Sequence, residues 1–101
     1  MRYLIVIRER GPAWVASLAM REQHGWQEHG AFMNALAEQG FVRLGGPLGE
    51  GGERFLLVVD ADSERAARER LAEDPWAALG LLTVASVTPW EILLLAGPSA
   101  G

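Results

Sequence analysis

Residues 22–48, EQHGWQEHGAFMNALAEQGFVRLGGPL, read as a helix running into a strand, and the rest of the chain is organised around them. Trp26, His29, Phe32, Met33 and Leu36 recur at steps of three and four, so they share one face of a 3.6-residue repeat. That face is apolar and should lie against a sheet, and His29 places an imidazole in the middle of it. Gly25 kinks or breaks whatever precedes, the periodic half covers residues 26–39, and Gly40 stands as the stop at C′. Residues 41–44 form a strand that ends at Gly45-Gly46-Pro47. Those three residues sit poorly in a central ladder, so a bulge or a close backbone approach to a ligand is expected there.

Upstream, residues 2–8 are aromatic and β-branched, and both alternating sets, Tyr3/Ile5/Ile7 and Leu4/Val6, are apolar. Such a strand should be covered on both faces. Pro12 opens a helical region over residues 13–20. Downstream, residues 49–52 are a turn and residues 53–60 a second strand apolar on both faces, so 41–48 and 53–60 make a hairpin. Asp62 or Ser63 caps a helix that reaches Ala72, with Ala66, Ala67 and Leu71 on its inner side. Asp74-Pro75-Trp76 stops that helix. Residues 81–87 are the last strand; Pro89-Trp90 interrupts it before an extended run resumes over 91–95.

The order β-α-β-β-α-β is the ferredoxin-like pattern, an α+β fold with a four-stranded antiparallel sheet and its helices on one face. One domain is expected over residues 1–96, with 97–101 as a flexible C-terminal tail. Helices on one face leave the other apolar face of the sheet open, which predicts a sheet-to-sheet homodimer.

Composition narrows the function. Half of the 101 residues are hydrophobic, which suits one globular domain. The formal charge of −4 comes with no basic cluster, so nucleic acid is not an expected partner. The absence of cysteine excludes disulfides and thiolate chemistry. The opening MRYLIVIRER is bounded by charge and lacks a cleavage-like sequence, and no apolar run approaches the roughly 20 residues of a membrane span. No membrane partner is expected, and the expected location is the cytoplasm. His24 and His29 stand five apart, about 140° around a helix, a poor metal pair; no metal and no other cofactor is expected.

Taken in order, these residues resemble the YCII-related proteins of the dimeric α/β-barrel superfamily. The resemblance is carried by the opening strand YLIVIRER, by His29-x-x-Phe32-x-x-x-Leu36-x-x-x-Gly40 and by Gly45-Gly46-Pro47. It continues through Asp74-Pro75-Trp76, Gly80-Leu81-Leu82 and Val87-x-Pro89-Trp90. It implies a site at the sheet's edge formed by the helical histidine and the aspartate of the D-P-aromatic segment, here His29 and Asp74. It also implies chemistry of the kind found in dehydrochlorinases of chlorinated hydroxyquinols and in the related isomerases and monooxygenases. Trp76 departs from the tyrosine commoner at its position, which removes a phenol as a proton donor.

On this reading His29 is the general acid or base, since imidazole titrates at about 6.5 in water. Asp74 orients its ring as a carboxylate does in a catalytic triad. Arg8, Trp26, Phe32, Gly46, Pro47 and Trp76 are the expected substrate-binding residues, with the pocket between helix and sheet and Gly46-Pro47 at its rim. Arg8 and Arg43 end or interrupt strands; they suit an anionic substrate, and the alternative for such residues is a solvated strand end. The expected function is a small cofactor-independent lyase or isomerase acting on a small aromatic or quinone-like molecule. The alternative is a non-catalytic dimer that binds a metabolite or a partner protein. There His29 is a core residue satisfied by a backbone carbonyl, and Asp74 only caps a turn.

Overall fold

The computed structural model describes residues 2–97, so the tail expected over 97–101 falls almost wholly outside it. The first strand, β1 (Arg2–Arg10), is followed by a 3-10 turn at Met20–Glu22 and by α1 (Trp26–Glu38). The hairpin β2 (Val42–Leu48) and β3 (Arg54–Val59) comes next, then α2 (Glu64–Leu71), the one-turn helix α3 (Pro75–Ala78) and β4 (Leu82–Glu91). The strands form one sheet in the order β2-β3-β1-β4, each neighbouring pair antiparallel. This is the α+β, ferredoxin-like arrangement, with α3 added to the expected elements.

Strand alternation decides which side chains meet the helices. Leu4 and Val6 of β1, Val42 of β2, and Leu57 and Val59 of β3 point inward against Leu36 of α1 and Ala67 and Leu71 of α2. Each such Leu or Val contributes about 1.5–3 kcal/mol by leaving water. Arg8 belongs to the same inward set, so the alternation carries a guanidinium under the helices. It arrives beside a second, smaller cluster of Phe55, Trp76, Leu81 and Leu82, with Trp14, Met20 and Trp26 packed on it. The helix ends follow their sequence signals. Gly40 has φ +79°, and the Phe41 amide donates to the Leu36 carbonyl at 3.0 Å. Of the two candidate caps of α2, Ser63 is the one used, its hydroxyl accepting from the Ala66 amide at 3.0 Å.

Three expectations are corrected. Residues 13–20 are not a helix. The Gly11 and Ala13 amides donate to the Leu81 and Gly80 carbonyls, and the buried Gln23 side chain binds Val15 N, Val15 O and Leu18 O at 2.8–3.1 Å. Backbone groups that a helix would pair internally are thus taken by other partners. At Gly11 a methyl group would overlap the Gly80 carbonyl oxygen, so only glycine fits this crossing. Secondly, β2 does not end before Gly45-Gly46-Pro47 but runs through it, because β2 is an edge strand and Pro47 needs no amide toward solvent. The bulge falls earlier, where the register passes from Val42↔Val59 to Leu44↔Val58. Thirdly, Pro89-Trp90 does not interrupt β4, the opposite edge strand; residues 92–97, beyond it, carry no regular secondary structure.

No described helix covers the other face of the sheet. There Ile5 lies between Val58 and Thr88, Ile7 between Leu56 and Ser86, and Tyr3 beside Trp90. Leu44 is 67% exposed, and Leu93, Leu94 and Leu95 are 70–92% exposed.

Candidate active site

Three elements bring one side chain each to a single point: Arg8 from β1, His29 from the first turns of α1, and Asp74 from the N-cap of α3. Asp74 is fixed by its own backbone position. Pro75 supplies a first helical residue that has no amide to satisfy, and Oδ1 of Asp74 accepts from the Trp76 amide at 2.9 Å. The same carboxylate faces Nδ1 of His29 at 2.9 and 2.8 Å, and its Oδ2 accepts from Nη1 of Arg8 at 2.9 Å. Asp74 therefore both caps the turn and holds the histidine. An ionised carboxylate only accepts, so Nδ1 carries the proton and the lone pair of the neutral ring sits on Nε2.

All three groups are buried. Burial by itself would push the Asp74 carboxyl up. The hydrogen bonds from His29 and the Trp76 amide, with the charges of His29 and Arg8, outweigh it and hold the group below the ordinary carboxylate value. Arg8 shows the reverse balance: loss of solvent pulls its pKa down and the Asp74 carboxylate only partly opposes that.

Trp76 orients the imidazole from the side. Its indole is stacked on the ring, centroids 4.0 Å apart and planes 6° apart. Its own N–H donates to the His24 carbonyl at 2.7 Å, tying α3 to the turn before α1. Tryptophan at this position thus supplies a flat face and a tether where tyrosine would supply a phenol. Trp26 lies behind, 6.0 Å from His29 and 5.8 Å from Trp76, and Trp14 meets Trp76 edge-on at 5.6 Å.

A cavity of about 310 Å³ opens between α1, the sheet and β2, and its lining is mostly apolar. Of the expected site residues, Arg8, His29, Gly46, Pro47 and Trp76 line it. Asp74 lies behind His29. Trp26 backs the stacked rings without reaching the cavity wall, and Phe32 packs into the main core instead. Arg43 also reaches the lining, while its guanidinium sits over Tyr3. Met20, Met33 and Phe55 are lining residues that the sequence reading did not pick out. Met33 carried a signal, since it shares the helical stripe with His29; Met20 had none, because its segment was read as a helix. Among the described residues no group of three or more His, Asp or Glu side chains is placed to hold a metal. No described helix is long and apolar enough to cross a membrane.

No curated protein matches this sequence. Among solved structures, the fold is similar to that of 5-chloro-2-hydroxyhydroquinone dehydrochlorinase from Burkholderia phenoliruptrix AC1100, determined in complex with 2,5-dihydroxybenzoquinone. The two share 23% identity over 91% of this chain and 93% of the other, with a TM-score of 0.57, which is a likeness of fold. A family model of the YCII-related domain matches residues 1–91, which reach from the first strand to the end of β4. The chain belongs to the YCII-related family.

Proposed function

We propose that the cavity is the active site of a small cofactor-independent enzyme of lyase or isomerase type, acting on a small aromatic or quinone-like molecule. The observation that carries this reading is the contact of Asp74 with Nδ1 of His29 in the wall of a mostly apolar cavity. A base needs a free lone pair, a fixed orientation and a partner for the charge it acquires. Nε2 supplies the first, the Trp76 stack and the Asp74 contact supply the second, and the Asp74 carboxylate supplies the third. Nε2 takes a proton from a ring hydroxyl or an adjacent carbon. In a lyase step the leaving group, such as chloride, departs with its bonding pair, for a net loss of HCl. In an isomerase step the same proton returns at another ring position. Apolar walls suit a flat ring, and the dehydrochlorinase of similar fold, solved with a quinone, makes a chlorinated hydroxyquinol the first substrate to test.

The test is chloride release from 5-chloro-2-hydroxyhydroquinone, together with deuterium uptake from solvent into a panel of hydroxyquinones followed by NMR. Catalysis of either above the buffer rate is the expected result. A protein that binds these rings and catalyses neither is a binding module.

The open face of the sheet is assigned to a second copy of this chain. The half-buried Tyr3, Ile5, Ile7 and Leu56 form its centre, and the exposed Leu44 and Trp90 extend it to both edge strands. An interface of standard size takes about 800 Å² from each partner. Sedimentation at micromolar concentration should show a dimer, and Ile5→Glu should yield a folded monomer. A native protein that sediments as a monomer at that concentration removes the assignment.

A further inference from the structure

Arg8 is 5% exposed and its charge is only partly satisfied. Among the described residues, Nη1 donates to Asp74 at 2.9 Å, Nε has no partner, and Nη2 reaches only the thioether sulfur of Met33 at 3.5 Å. Asp74 cannot take more of the guanidinium, because its two oxygens already receive His29, the Trp76 amide and Nη1. A thioether is a weak acceptor, and methionine is the most easily re-aimed of the apolar side chains. Both Arg8 and Met33 line the cavity. We infer that Met33 is a displaceable cap: its sulfur occupies the place of a ligand oxyanion, which on binding swings the thioether aside and accepts from Nη2 of Arg8. The site then selects ring acids that are ionised at neutral pH over neutral rings of the same shape. The exchange replaces a weak N–H···S contact by a charge-assisted bond in an apolar surround.

This inference rests on the proposal that the cavity takes a small ring, but not on turnover. Calorimetric titration of the intact protein with 2,5-dihydroxybenzoquinone, an anion at neutral pH, and with its neutral dimethyl ether reads the selectivity directly. The acid should bind at least about tenfold more tightly. Met33→Leu, which removes the sulfur but keeps the volume, should retain that preference. Met33→Glu places a carboxylate on Arg8 from within; it should weaken the acid at least about tenfold and leave the ether within about twofold. Equal binding of acid and ether by the native protein, or an equal loss of both in Met33→Glu, overturns the inference. Preference without turnover would refute the enzyme reading and leave this one standing, and turnover without preference would do the reverse.

Discussion

Asp74→Asn will lower the unfolding free energy by about 3–5 kcal/mol, the cost of leaving a buried charge without its partner. Asparagine keeps the shape and still caps α3, so the loss isolates the electrostatic role. Arg8, with Nη1 on Oδ2 of Asp74 at 2.9 Å, would be left as a buried cation whose other acceptor is a sulfur. For a domain of this size the midpoint of thermal unfolding should fall on the order of 20 °C. Removing both charges at once, in Arg8→Met with Asp74→Asn, should recover at least about 1 kcal/mol of that loss, because no buried charge is then left without its partner. The pH dependence has a definite sign. The Asp74 carboxyl lies below its ordinary value in the folded protein. Its contribution is therefore complete above about pH 4, where the group ionises in the unfolded chain, and is lost as pH falls through the lower folded value. The native protein should show this acid limb below pH 4 in urea unfolding, and Asp74→Asn should lack it. Equal stability of native and Asp74→Asn protein at neutral pH would mean that the Arg8–Asp74–His29 cluster does not form.

His29→Asn should cut kcat/KM by about 10²- to 10⁴-fold on whichever ring substrate the native protein turns over, the range for loss of a general base. The loss should fall mainly on kcat, because the apolar walls and Arg8 still hold the ligand. The cost in stability is smaller, about 1.5–3 kcal/mol for one hydrogen bond to a charged group. Asp74 keeps Arg8 and the Trp76 amide in that variant, so the carboxylate remains paired. A His29→Asn protein that folds and retains more than about a tenth of the native rate assigns the proton transfer to another group.

The parts of this fold that sequence reading reaches are those where local pattern and tertiary outcome agree. The stripe Trp26–His29–Phe32–Met33–Leu36 and the stop at Gly40 set α1 almost to the residue, since periodicity and a positive-φ glycine act on the same turn. Edge strands are harder. Gly45-Gly46-Pro47 and Pro89 look like breaks until β2 and β4 are known to lie at the two edges, where a missing amide is tolerated, and strand order is a tertiary fact. The segment between Pro12 and Gln23 fails for a related reason. Its partners are Gly80, Leu81 and the Gln23 side chain, and no local pattern announces them.

The site was legible to a similar extent. His29 stood out as an imidazole on an apolar stripe, and the family resemblance pointed to Asp74. Arg8 looked like a strand end because the strand was read as closing there. Its extension to Arg10 turns Arg8 into an inward residue of the set begun by Leu4 and Val6. Met33 was visible on the stripe, but its contact with Arg8 depends on how α1 crosses β1. Trp76 as the stacking partner of His29 was out of reach, because the two are 47 positions apart and meet only through the placement of α3.

The most direct test is a long-range proton–nitrogen NMR spectrum of the His29 ring at a pH where the ring is neutral, with and without 2,5-dihydroxybenzoquinone. The account predicts a proton on Nδ1, donated to Asp74, and a bare Nε2 whose resonance moves when the ligand is added. A proton on Nε2, or an Nε2 resonance indifferent to bound ligand, would contradict it, because His29 would then have no lone pair facing the cavity.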